Sequence, residues 1–284
     1  MQKEAYYKQS LINNHLKHPI RVHQTQLATG PYTTHYAAAG EGKPLLLLHG
    51  AGGDCTNFLD VIPLLAKKAH VIVPDMLGHG KTVGVVGAFR AWDYLNWLQA
   101  FITGMACGPM TLIGHSLGGA LAIRYSTAFP GQVKRLVLVN AVSLGTPKLS
   151  ATLQLLSGMF QKDEQRLLEQ LGGVMFAGDP QQRIEMAQRY LDLAKTPKGC
   201  RGFLWMLSRT WHMALPAPKH LLTRLEIPTL ILWGAEDGYF PPSQGKRAAK
   251  LIPRCTLRLI PGAAHAPFLE QPEVFAMKLN KFLE

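Results

Sequence analysis

Serine, histidine and aspartate, scattered far apart along this chain, can together perform nucleophilic chemistry. The serine is Ser116, in the stretch Thr111–Leu121, TLIGHSLGGAL. Glycine weakens strands and helices alike, so Gly114, Gly118 and Gly119 within six residues need a reason. The residues before Ser116 read as a strand and those after it as a helix. A strand that turns into a helix without a linker makes a tight corner. The corner residue is forced into a strained backbone conformation with its side chain outward, and the residues two before and two after must be small. Gly114 and Gly118 occupy those two places, and Gly119 allows close helix–sheet packing. The same pattern also suits a glycine-rich turn whose serine caps a helix.

A serine hydroxyl near neutral pH is a poor nucleophile and needs a base held by an acid. Two downstream segments place such groups just past strand-like runs. ILWGAEDGYFPP carries Asp237, with Glu236 as the rival acid, and LIPGAAHAPFLEQPE carries His265, one of 11 histidines. The order Ser116, Asp237, His265, each after a strand, makes coincidence a poor explanation. An attacked carbonyl also needs donors for its developing oxyanion. The Leu117 amide at a helix start is one. The glycine-rich LLLLHGAGGD supplies another, Ala51 first and Gly52 as the alternative. No G-K-[ST] follows that loop, which disfavours a nucleotide phosphate site.

The elements that must carry these residues alternate. Nearly continuous Leu, Ile and Val runs at Pro44–Gly50, His70–Asp75, Met110–Ser116, Arg135–Ala141, Pro228–Gly234 and Cys255–Gly262 read as strands buried on both faces of a parallel sheet. Between them the patterns predict helices at 56–68, 93–106, 117–129, 243–252 and 271–283. Segments 20–29 and 32–38 suit an antiparallel hairpin at one edge. The expected architecture is α/β, a doubly wound, mostly parallel sheet. Residues 143–224 break the rhythm and read as helices at 148–171, 181–195 and 200–213 and a short one after Pro218. The predicted organisation is a core of 1–142 and 225–284, with 1–25 as an N-terminal arm, and a helical insertion of 143–224.

The whole chain has 284 residues, 47% of them hydrophobic and 17% charged, with a formal net charge of +12. That suits one large core, or one core with an inserted subdomain. Lys and Arg stand singly or in pairs and no nucleic-acid motif appears, so nucleic acid is not an expected partner. The insertion itself carries 11 Lys and Arg against 6 Asp and Glu. The N-terminus lacks the apolar core of a secretory signal, and no run approaches the length of a membrane span. Cys55, Cys107, Cys200 and Cys255 lack metal-like spacing and read as free thiols. A soluble, cytoplasmic protein is expected.

Five segments in order, HGAGG (49–53), DMLGHGKT (75–82), GHSLGG (114–119), WGAEDGYFP (233–241) and PGAAHAPFLEQPE (261–273), resemble those of serine-dependent members of the α/β-hydrolase fold superfamily. The resemblance covers about residues 30–284. It implies Ser116 as nucleophile, His265 as base, Asp237 as acid, Ala51 and Leu117 as oxyanion donors, and 143–224 as a cap. Ser116 stands where epoxide hydrolases and haloalkane dehalogenases of that superfamily carry Asp. Asn140 occupies a place where some relatives keep an alternative acid. His115, Phe58, Trp205, Trp211 and Tyr239 are the expected substrate contacts. Apolar residues of the insertion such as Met159, Met175, Phe176 and Met206 either line a pocket or form the insertion's own core. The expected reaction is cleavage of a small-molecule carboxylic ester or related acyl substrate without metal or organic cofactor. Two alternatives are a carbon–carbon bond hydrolase of ring-cleavage diketones and a catalytically silent binding protein.

Overall fold

The computed structural model describes residues 21–84, 90–159, 164–194 and 215–284. Among them eight strands form one sheet: β1 (His23–Thr29), β2 (Tyr32–Ala39), β3 (Pro44–Leu48), β4 (His70–Pro74), β5 (Met110–His115), β6 (Val133–Val139), β7 (Thr229–Gly234) and β8 (Cys255–Ile260). Their spatial order is β1-β2-β4-β3-β5-β6-β7-β8. β1 and β2 form the predicted antiparallel hairpin at one edge, β2 meets β4 antiparallel, and every later pairing is parallel.

The apolar runs are continuous because both sheet faces are covered. Along β3, Leu45 and Leu47 enter one core cluster and Leu46 and Leu48 the other, as a period of two requires. One face is covered by α1 (Ile62–Leu65) and α10 (Pro272–Leu283), through Ile62, Leu65, Phe275 and Leu279. The other carries α2 (Ala91–Gly104), α3 (Leu117–Ala128) and α8 (Pro242–Ala249), through Trp97, Phe101, Leu121, Tyr125 and Ala248.

Between β6 and β7 lie α4 (Leu149–Met159), α5 (Glu164–Met175), α6 (Pro180–Ala194) and α7 (Lys219–Thr223). The Ala217 amide donates to the Ser143 carbonyl (2.7 Å), which joins the two ends of this insertion at its base. α5 and α6 pack closely because Gly172 is bare: a Cβ there would lie 2.7 Å from the Arg183 carbonyl.

Four expectations change. The helix predicted over 56–68 is a 3-10 turn, Cys55–Phe58, followed by the short α1. Asp54 caps the turn, and Pro63, lacking an N–H, sits in the first turn of a new helix. The helix predicted over 148–171 is two, α4 and α5, packed on each other as one continuous rod could not be. A short helix α9 (Pro267–Glu270), not predicted, follows His265. The last three residues of the expected arm, His23–Thr25, belong to β1 and pair with Ala38–Tyr36. The helix expected over 200–213, the first 20 residues and Cys200 lie outside the described residues. Cys55, Cys107 and Cys255 are free thiols. Among the described residues, no helix is long and apolar enough to cross a membrane.

Candidate active site

The corner between β5 and α3 is as tight as its glycines require. Ser116 holds φ of 50° and ψ of −114°, a conformation L-residues avoid. A Cβ on Gly114 would collide with the Gly118 carbonyl, one on Gly118 would lie 2.6 Å from the His49 carbonyl, and one on Gly119 would strike Ala141. The Ser116 hydroxyl makes no helix-capping bond. It lies 3.2 Å from His265 Nε2 instead.

His265 follows β8 and Asp237 follows β7. His265 Nδ1 lies 2.9 Å from Asp237 Oδ2. A carboxylate only accepts, so Nδ1 carries the proton and Nε2 offers its lone pair to the Ser116 hydroxyl. The other Asp237 oxygen accepts the amides of Tyr239 (2.9 Å) and Phe240 (2.8 Å). Asn140 Nδ2 donates to Asp237 Oδ2 (2.7 Å) and to the Ala264 carbonyl (3.1 Å), while its Oδ1 accepts the Gly234 amide (3.1 Å). Asn140 therefore ties the strand ends that carry Asp237 and His265. Glu236, the rival acid, is exposed and binds the Gly262 amide (2.8 Å). All three relay residues are buried: Ser116 is 8% exposed, Asp237 3% and His265 2%.

The loop after β3 reaches the serine: a Cβ on Gly50 would lie 3.2 Å from Ser116 Cβ. His49 Nε2 accepts the Met76 amide (2.8 Å), so its proton sits on Nδ1 and is donated to the Gly50 carbonyl (2.8 Å). Gly53 N–H donates to the same carbonyl (3.2 Å). A trans peptide points its N–H opposite its C=O, so this grip fixes the direction of the Ala51 amide. Burial keeps His49 below the usual histidine range, in the neutral state this bond needs. Leu117 opens α3, where the first amides have no intrahelical acceptor.

Beneath the loop, His35, Cys55 and Asp75 have ligand atoms within 4.8 Å of one another. Asp75 is already engaged, accepting the Cys55 amide (2.8 Å), the Lys81 amide (2.8 Å) and His35 Nδ1 (2.9 Å). Burial drives the Cys55 thiol well above its ordinary range, against a thiolate ligand. These bonds suit a buried support better than a metal site.

The residues expected to touch substrate are placed differently from one another. Phe58 has no accessible surface and stacks on Phe268, with centroids 4.4 Å apart. His115 is 2% exposed and donates Nε2–H to the His265 carbonyl (2.9 Å). Burial pushes it well below the usual range, so it stays neutral. Tyr239 is half-buried with its ring edge-on to His265 at 5.8 Å. Trp205 and Trp211 lie outside the described residues.

The insertion touches both loops around the serine. Tyr190 on α6 donates its hydroxyl to the Ala51 carbonyl (2.6 Å), and Arg189 beside it pairs with Asp60 (2.6 Å). At the end of α5, the Met175 carbonyl accepts the His265 amide (3.0 Å). Met175 and Phe176 are buried, 5% and 2% exposed. Asn140, Tyr190, His49 and Glu270 were not read as site residues from sequence. The signal available for Asn140 was a lone polar residue closing an apolar run, and for Glu270 an acid five residues after His265.

A sequence profile of the alpha/beta hydrolase fold matches residues 43–272. The chain is 26% identical over 272 residues to a 2-hydroxy-6-oxo-2,4-heptadienoate hydrolase of Pseudomonas putida, covering 89% of this chain and 94% of that one. It is 27% identical over 258 residues to a pimeloyl-[acyl-carrier protein] methyl ester esterase of Neisseria meningitidis, covering 85% and 93%. Among solved structures, a meta-cleavage product hydrolase variant superposes with a TM-score of 0.79 at 26% identity, over 91% of this chain and 97% of the other.

Proposed function

The chain belongs to the α/β-hydrolase fold family, and from that premise we propose that it is a serine hydrolase cleaving a carboxylic ester through an acyl-enzyme. The observation that carries this reading is the unbroken relay from Ser116 Oγ through His265 to Asp237, at 3.2 and 2.9 Å. Ser116 Oγ attacks the acyl carbon while its proton passes to His265 Nε2. The carbonyl electrons move onto oxygen, where the Ala51 and Leu117 amides hold the charge. Collapse expels the alkoxide, which takes the proton from His265. Water then attacks the acyl carbon, gives its proton to His265, and Ser116 leaves with that proton. Asp237 holds the imidazole's tautomer and stabilises its cation. Residues 143–224 serve as a cap over this chemistry, with Tyr239 at its edge as a substrate contact. The free thiols fit a reducing, cytoplasmic setting.

Ser116→Ala is expected to lower kcat on a p-nitrophenyl acyl ester by about 10⁴–10⁶-fold. A purified variant that keeps most of its activity contradicts the assignment. The likeness to two hydrolases of ring-cleavage products favours a second reading, carbon–carbon cleavage by the same groups. An ester needs only the relay and a departing alkoxide, whereas a carbon leaving group must also be stabilised by conjugation within the substrate. Comparing kcat/KM for a vinylogous diketone with that for simple esters separates the two.

A further inference from the structure

The loop that carries His265 has its main chain fully spoken for, and much of the anchorage is one side chain. Glu270, at the end of α9, accepts the amides on either side of His265: Ala264 at 3.0 Å and Ala266 at 3.1 Å. Its second oxygen also accepts the Ala177 amide of the insertion (2.8 Å). The His265 amide runs the other way, to the Met175 carbonyl just before (3.0 Å). Two opposed hydrogen bonds therefore bracket 175–177 against 264–266. The His265 carbonyl is held separately, by His115 (2.9 Å).

We propose that Glu270 is a positioning residue: by accepting the amides flanking His265 together with that of Ala177, it makes the placement of the imidazole depend on docking of the cap. The proposal rests on the serine-hydrolase reading for its catalytic consequence, though not for its structural one. A carboxylate has enough lone pairs for all three amides at once. Truncation would leave three amide donors, two of them on the buried Ala264 and Ala266, without this acceptor. The loop and the segment after α5 would then loosen together, and the imidazole would lose its bearing on Ser116. Burial works to raise the Glu270 carboxyl, and the net shift is upward even though the three amides and the nearby His265 oppose it. A half-buried acid kept on purely structural grounds needs no contact with both the His265 loop and the cap; this one has both.

The test compares Glu270→Ala and Glu270→Gln with Arg189→Ala, which cuts the cap's ion pair to Asp60 instead. Amide hydrogen exchange is read on peptides spanning 173–179 and 263–267, and kcat and KM on the ester. Glu270→Ala is expected to speed exchange of both peptides by about tenfold or more and to lower kcat by about 10²-fold with KM within about threefold. Glu270→Gln keeps one accepting oxygen and should recover at least part of the lost kcat. Arg189→Ala should leave kcat within about twofold. Faster exchange confined to 263–267, a kcat loss below about threefold, or an equal kcat loss in Arg189→Ala overturns the proposal. If Glu270→Ala does not fold, Glu270→Gln decides by the same two readings, with smaller changes of the same kind. Exchange does not depend on Ser116, so an active Ser116→Ala would sink the mechanism and leave the bracket to be judged alone.

Discussion

The corner at Ser116 and the loop at His265 each present a side chain of the proposed relay at a strand end, yet they are held by opposite means. The corner is held by exclusion: there is no room for a Cβ at Gly114, Gly118 or Gly119, and the contacts lie in the corner itself or on adjoining strand ends. The His265 loop is held by attraction. Its amides, carbonyl and imidazole are tied to Glu270, Met175, His115 and Asp237, drawn from four other places in the sequence. A steric lock is local, stiff and indifferent to pH. A polar lock is assembled from distant parts, fails if one of them is removed, and can titrate. Ser116, the proposed nucleophile, has the first kind of support and His265, the proposed base, the second.

The largest effects are expected on the polar side. Asp237→Asn leaves the space unchanged but can donate to His265 Nδ1 and so favours the wrong tautomer; kcat should fall by about 10⁴-fold while Tm moves little. A fall below about tenfold would mean that the imidazole is oriented by something else. Asn140→Ala frees the Gly234 amide and the Ala264 carbonyl and removes one donor from Asp237. A kcat loss of about 10- to 100-fold and a stability loss of about 1–3 kcal/mol are expected, read by kinetics and chemical denaturation. Equal kcat in the two proteins would show that the strand ends need no tie.

On the steric side, Gly114→Ala should cost about 1–3 kcal/mol or prevent folding. What activity survives should track the folded fraction, because no bond to the imidazole is lost. A well-folded Gly114→Ala protein with wild-type Tm would remove the exclusion argument. The smallest effect is on pH. Burial holds His49, His79 and His115 below the ordinary range, His79 at about 3. Below pH of about 6.5 the unfolded chain binds protons that the folded chain refuses. Their stabilisation is complete above that value and is lost as pH falls toward the folded values. Thermal melts should therefore show Tm declining from about pH 7 to pH 4, and a flat Tm contradicts it.

The same contrast explains what was legible in the sequence. The corner was readable because its glycines lie within six residues, even though Gly118 also needs its space from the distant His49 carbonyl. The strands were readable because a sheet covered on both faces writes itself as unbroken apolar runs. Polar braces leave no such trace. Asn140 meets Asp237 across 97 residues, Ala177 meets Glu270 across 93, and His115 meets the His265 carbonyl across 150. Nothing in the spacing of those residues announces the pairings. Glu236 and Asp237 could not be separated by type. Only the turn after β7 turns one towards His265 and the other out to the Gly262 amide. Periodicity also overran at 56–68, where the apolar pattern continues across Pro63 but the helical hydrogen bonds do not.

The central claim is that Ser116 alone is an activated nucleophile. The direct measurement is peptide mass spectrometry after treating the protein with a fluorophosphonate. One adduct per chain on the peptide that contains Ser116, lost in His265→Ala, is the predicted result. An adduct on another residue, or none in a preparation that still hydrolyses esters, would contradict it.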